Sequence, residues 1–431
     1  MKFKILLTIM VVTSIVSLSL AAFLFFVFST MDVKPAYETA VETQPLQSAD
    51  SVSETTADEE GAAGEPVKEG EEPAETDTSG TGTTESDTAE AGTSEAPFLE
   101  EPLKIVVVGD INLGRGVKIW VEKQEKRYIY PFEEIVGIFN QNDVVFGNLE
   151  EPITASTKGL AGIDEGGKYV LKNDPEAIEG IKYAGFNLLS LANNHILDYY
   201  EQGLFDTMKI LDENGIAYAG AGRNLEEARK PAVLEKKGLK IGMLAYTDMA
   251  EVLYKGNPPL RFLAGEDSSG VAPTKKDYIM EDIAKYKDIF DILIVSLHWG
   301  VEYSYEPTEN QIGLAHEIID SGADMIIGHH THRCQGVEIY KGKPIFYSLG
   351  NFLFDQNNPL NQESFIFEME IKNRKLTALS GTPFKIINKS RIVPQKGEDA
   401  LIMLERERSL SEKLNTPSRI ENDKLVFDIN W

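Results

Sequence analysis

Beyond residue 100 the chain alternates short apolar runs with longer stretches of helical periodicity. Lys104–Gly109 (KIVVVG), Asp143–Gly147 (DVVFG), Asn187–Ala192 (NLLSLA), Lys240–Tyr246 (KIGMLAY), Asp291–Leu297 (DILIVSL) and Asp324–Ile327 (DMII) read as buried strands. Ile216–Ala219 reads as a shorter one. Between them, Tyr130–Asn140, Pro175–Ala184, Gln202–Asn214, Asp277–Tyr286 and Glu309–Ser321 carry apolar residues at helical spacing. Strands that are apolar almost throughout, alternating with helices, predict an α/β fold with largely buried sheets. After His332 strands take over, at Gly336–Tyr340, Pro344–Ser348 and Ser364–Ile371. A surface helix over Met403–Leu414 and a last strand at Lys424–Ile429 follow. No second core pattern appears, so residues 101–431 are expected to form one domain.

The first hundred residues follow neither pattern. Ile5–Met31 is an uninterrupted run without a charged residue, rich in Leu, Ile, Val and Phe, preceded by Lys2 and Lys4. As a helix it would span about 40 Å, enough to cross a bilayer with tilt. The lysines before it orient the N-terminus to the cytoplasm. Residues 1–31 are therefore expected to be a retained signal anchor, placing the rest outside a cell membrane crossed once; a cleaved signal peptide is the alternative. Residues 32–100 hold nineteen acidic residues against two lysines, with no aromatic between Glu38 and Pro97. Such a segment cannot bury enough apolar surface to offset its chain entropy, and a disordered acidic linker is expected. The formal net charge of −27 owes much to it. No basic cluster appears, which argues against a nucleic-acid partner. The lone cysteine, Cys334, excludes an intrachain disulfide and reads as a small buried residue.

The candidate chemistry sits where strands end. Asp110 and Asn112 follow the first strand and Glu150 the second. Five of the six histidines fall in three runs: Asn193-Asn194-His195, His298-Trp299-Gly300 and Gly328-His329-His330-Thr331-His332. Each run follows an apolar strand. Carboxylate, amide and imidazole gathered at strand ends suit one or two divalent cations, with Zn, Mn and Fe compatible with mixed nitrogen and oxygen donors. Three imidazoles in four positions are hard to explain as packing, since buried polar groups need partners. His330 and His332 are the preferred pair, and His329 faces away or meets substrate. Read alone, the Asp110 and Glu150 turns and the single His298 are weak signals. His195 suits a proton donor with Asp198 to orient it, although Asp198 could equally start a helix. No phosphate-cradling GxxxxGK[ST] loop occurs.

Six segments carry a resemblance. GDINLGRGV (Gly109–Val117), GNLEEPI (Gly147–Ile153), LANNHILD (Leu191–Asp198), SLHWGVEY (Ser296–Tyr303), GADMIIGHHTH (Gly322–His332) and YSLGNFLFDQ (Tyr347–Gln356) resemble, in order, the CapA family of bacterial capsule biosynthesis. Its members are associated with poly-γ-glutamate synthesis and export. That family in turn resembles the calcineurin-like metallophosphoesterases, which implies a four-layer α/β/β/α sandwich and a two-ion centre. Carried over, the resemblance makes Asp110, Asn112, Glu150, Asn194, His298, His330 and His332 metal ligands and His195 the proton donor. Asn112 stands where those enzymes have His, and Glu150 where they have Asp. Arg115, Glu302, Tyr303, Asn351 and Asp355 fall in the same segments, as substrate contacts, ligand supports or plain packing.

Three functions are compatible with this reading. One is an outward-facing component of poly-γ-glutamate or related capsule production, acting on an anionic polymer or a phosphorylated small molecule beside membrane subunits of a polymer synthase. The second is an extracellular metal-dependent phosphoesterase unrelated to capsule. The third is a non-catalytic scaffold of a synthase complex.

Overall fold

The computed structural model describes residues 101–160, 169–254 and 260–429. The expected anchor, 1–31, and linker, 32–100, lie outside them. Among the described residues no helix is long and apolar enough to cross a membrane.

Two mixed sheets carry the fold, one of ten strands and one of six, beside a two-stranded pair. In the larger, Leu103–Ile111 lies parallel to Val144–Leu149, which lies parallel to Leu188–Ser190. On its other side Leu103–Ile111 pairs antiparallel with Glu363–Lys372. In the smaller, Leu239–Thr247, Ile292–His298 and Met325–His329 run parallel as neighbours.

Successive side chains of a strand point to opposite faces, and both faces here are apolar. Ile105 and Val107 join the core between the sheets, while Val106 and Val108 join a core under the helices Ile178–Ala184 and Tyr200–Glu213. In Ile292–His298, Ile292 and Ile294 face the inter-sheet core; Leu293, Val295 and Leu297 face the helices Lys276–Tyr286 and Glu309–Ser321. Three cores thus separate helices, sheet, sheet and helices. This explains the near-continuous apolar strands: neither sheet shows these strands to water.

Some elements differ from expectation. The helix expected over Tyr130–Asn140 divides into a 3₁₀ segment, Arg127–Phe132, and one turn, Val136–Phe139. Pro131 lies inside the first and has no N–H to continue an α-helix. The thirteen-residue strand Lys375–Ile387 carried no strand signal. Its centre, Gly381-Thr382-Pro383, reads as a turn. The fold keeps it extended by pairing it on both sides, and Gly381 leaves room for the Phe365 and Phe367 rings of the neighbouring strand.

Candidate metal centre

Register places the polar strand ends side by side. On the larger sheet Asp110 pairs with Asn351 on one side and Asn148 on the other, and Asn148 pairs with Ser190. On the smaller sheet His298 pairs with Thr247 and His329. Both rows lie at the carboxyl ends of parallel strands, where α/β sheets place ligands.

Across the two rows, Asp110, Glu150 and His298 bring ligand atoms within 4.8 Å of one another, all buried. The Asn148 amide sits among them, donating to Asp110 Oδ1 (2.9 Å) and Glu150 Oε2 (2.5 Å) and lying 3.5 Å from His298 Nδ1. Asn193 fixes that amide by donating to Asn148 Oδ1 (3.3 Å) and to the Leu149 carbonyl (2.8 Å). His298 Nε2 lies 2.8 Å from Asn194 Oδ1 and 3.1 Å from His330 Nδ1. His332 Nδ1 is 2.8 Å from Asn351 Oδ1 and 3.9 Å from Asp110 Oδ2. Because Asn351 donates its nitrogen to the Asn361 carbonyl, its oxygen faces His332 and takes the Nδ1 proton.

The electrostatics suit a cation. Burial, then the Asp110 charge, pushes the Glu150 carboxyl well above its ordinary range. Burial also opposes ionisation of Asp110, but the His329 and His332 imidazoles outweigh it and hold that carboxyl low. Burial, then neighbouring imidazoles, drives His298 far down and His330 to about 4, so both rings are neutral as ligands must be. Asp110 Oδ2 and both His329 nitrogens are buried without a hydrogen-bond partner. A divalent cation would answer the orphaned oxygen and let both carboxylates ionise together.

Beside this group opens a cleft of about 1160 Å³, lined by Arg115, His195, Glu302, Tyr303, His332 and Asp355 among others. His195 reaches it with Nδ1 held 2.8 Å from Asp198 Oδ2. That carboxylate oxygen also accepts from the Leu171 N–H at 2.7 Å. Burial raises the Asp198 carboxyl, and the His195 ring opposes the rise.

Residues 104–356 match the family model described as bacterial capsule synthesis protein PGA_cap. The chain belongs to this family. The PGA biosynthesis protein CapA of Bacillus subtilis (strain 168) is 33% identical over 334 residues, covering 77% of this chain and 84% of that one. The capsule biosynthesis protein CapA of Bacillus anthracis is 31% identical over 347 residues, covering 75% and 80%. Among solved structures, a hypothetical protein from Thermus thermophilus aligns with a TM-score of 0.40 at 15% identity, over 66% of this chain and 99% of that one. The layering described above rests on strand order and the three cores instead.

The PGA_cap match contains every residue placed at the site. Not all of them converge. Asn112 is buried but engaged elsewhere: its nitrogen donates to Glu151 Oε2 (2.8 Å) and its oxygen accepts from the Gly114 N–H (3.0 Å). Between Asp110 and Asn112 the pairing of this strand with Asn351–Leu353 shifts register, at Asp110/Ile111. His329 is fully buried and is not part of this cleft's lining; its ring packs on Phe146, with Nδ1 3.3 Å from Asp110 Oδ1. Arg115 forms a two-pronged ion pair with Asp355, whose Oδ2 also accepts from the Gly116 N–H. Tyr303 stacks on His332 with ring centroids 5.9 Å apart. Cys334 is buried in the inter-sheet core. Asn148, Asn193 and Glu151 were not singled out from the sequence. An asparagine inside an apolar strand end was the available signal for Asn148, since buried amides require partners.

Proposed function

We propose that this chain is an outward-facing, single-pass membrane component of poly-γ-glutamate or related capsule production. Its cleft takes an anionic polymer or a phosphorylated intermediate beside a divalent-metal centre. The observation that carries this reading is the buried Asp110–Glu150–His298 group inside a segment matched to a capsule-synthesis family. The names of the Bacillus relatives supply the polymer, and the acidic linker and apolar N-terminal run supply the anchor.

Asp110, Glu150, Asn194, His298, His330 and His332 would hold the cation or a pair of them, with Mn, Zn and Fe the candidates. A bound cation supplies a polarised oxygen and an acidified water. His195 is the candidate for proton transfer at the cleft, and Asp198 fixes its orientation. The Glu302 carboxylate, exposed at the cleft, keeps the entrance acidic.

The test is complementation of a deletion strain with His195→Ala combined with His332→Ala, read as polymer yield. Loss of polymer with the protein still present supports the reading. Normal polymer, with no metal in the purified full-length chain, selects a scaffold. Turnover of phosphoesters with Mn²⁺ and no polymer phenotype selects a phosphoesterase unrelated to capsule.

A further inference from the structure

Arg333 follows His332 directly and lines the same cleft. It is only 5% exposed. Its Nε and Nη1 are buried, with no hydrogen-bond acceptor among the described residues. A guanidinium with two of its nitrogens buried and unpartnered is costly, and such groups are normally matched by an anion or a set of carbonyls.

Among the described residues the surroundings do not supply one. The guanidinium lies over the Tyr305 ring, Cζ 5.1 Å from the centroid. Arg406 approaches the same ring at 5.4 Å, but Arg406 already donates to Glu363 at 2.7 Å, and Lys385 shares that carboxylate at 3.4 Å. The cleft's other guanidinium, Arg115, is committed to Asp355. Tyr305 therefore provides a face to lie on and no charge to neutralise.

The backbone beneath Arg333 is fixed. Thr331 Oγ1 accepts from the Arg333 N–H (3.3 Å) and donates to the Arg333 carbonyl (2.9 Å). Gly350 packs so close that a Cβ there would fall 2.9 Å from the Arg333 carbonyl carbon. A cation on a rigid turn, beside His332, needs little reorganisation to meet a ligand.

We propose that Arg333 is the anion-recognition residue of the cleft, binding a carboxylate or phosphate oxygen pair of the ligand next to the metal centre. The planar fork of the guanidinium suits both groups. The inference rests on the reading that this cleft takes an anionic ligand, and it deepens that reading by assigning the contact.

The experiment titrates the purified full-length chain, supplied with Mn²⁺, with a γ-linked glutamate oligomer and separately with inorganic phosphate. Arg333→Met, which keeps the apolar stem, should weaken binding by about tenfold or more. Arg333→Lys, which keeps the charge and loses the fork, should fall between the two and guards against a folding defect. Weakening confined to the oligomer assigns a carboxylate; weakening of phosphate assigns a phosphoryl group. The thermal midpoint of ligand-free Arg333→Met should equal or exceed that of the parent, since an unpaired buried charge is removed. Unchanged affinity for both ligands overturns the proposal. So does a parent chain that binds neither, or a lowered midpoint with binding intact, which would make Arg333 a packing residue on Tyr305. Metal content of the same samples separates the two readings. Arg333-dependent binding in a chain that takes up no metal sinks the metal centre and leaves this inference standing.

Discussion

His195 comes to the cleft already tethered, with Asp198 on its Nδ1 and the Leu171 N–H holding Asp198. Replacing Asp198 with Asn keeps an oxygen for the ring and the Leu171 N–H but removes the negative charge beside the imidazole. Asp198→Asn is expected to lower polymer yield or turnover by about 10–100-fold. Metal content, measured beside the rate, should stay unchanged. A different side chain sets a pH dependence of stability. Burial raises the Glu407 carboxyl from its ordinary 4.5 to about 8, with one oxygen lacking a partner. Between those values the folded chain holds a proton that the unfolded chain releases, so stability is full below pH 4.5 and declines as pH rises toward 8. Glu407→Gln should remove part of that decline, giving a midpoint about 2 °C or more above the parent at alkaline pH and little difference in acid. Melting curves at both ends of the window check it. Glu151, also raised to about 8 by burial, and Glu150, raised well above its ordinary range, contribute to the same slope.

The element that organises the site is the segment Tyr347–Gly350. Its Gly350 carbonyl accepts from the Asp110 N–H at 2.9 Å, and its Leu349 N–H donates to the Gly328 carbonyl at 3.0 Å. One stretch of chain thus joins the ends of strands from both sheets that carry the candidate ligands. The approach requires glycine: a Cβ on Gly109 would lie 1.9 Å from the Gly350 oxygen, and one on Gly328 1.9 Å from the Tyr347 oxygen. Gly109→Ala should cost about 1–3 kcal/mol through overpacking, shift Asp110 and lower metal uptake. Gly313→Ala is the control, in the helix Glu309–Ser321 with nothing within 4 Å of the new Cβ. It should stabilise by roughly 0.5–1 kcal/mol. Denaturant titration distinguishes the two. At this scale the sequence was most legible where periodicity was strong. Glu309–Ser321 formed over the span that its pattern indicates, opened by the Thr308–Gln311 capping box. Lys375–Ile387 was illegible because Gly381 and Pro383, turn residues in isolation, are held extended by strands on both sides.

Across the molecule, the candidate centre draws ligands from both sheets: Asp110 and Glu150 from strands of the larger, His298 and His330 from the ends of the smaller. A cation there would tie the sheets together, and the unfolded chain offers no such arrangement. Chelation should therefore lower the thermal midpoint, and Mn²⁺ should restore it. Asp110→Asn should abolish that response, and calorimetry with and without chelator reads it. The apolar strands and helical spacings by themselves determined the α/β class, the order of the main elements, and the donor types that follow each strand. That information is local, because burial of both strand faces writes itself into every residue. The facing of those donors was decided only in three dimensions. His330 and His332 take positive φ, 91° and 56°, and break the simple alternation of a strand. His330 thereby meets His298, His332 meets Asn351, and His329 is left inside beside Phe146. Asn112 turns to Glu151 for the same kind of reason, a register shift after Asp110 in the pairing with Asn351–Leu353. Such backbone turns are imposed by segments distant in the chain, so no local pattern can announce them.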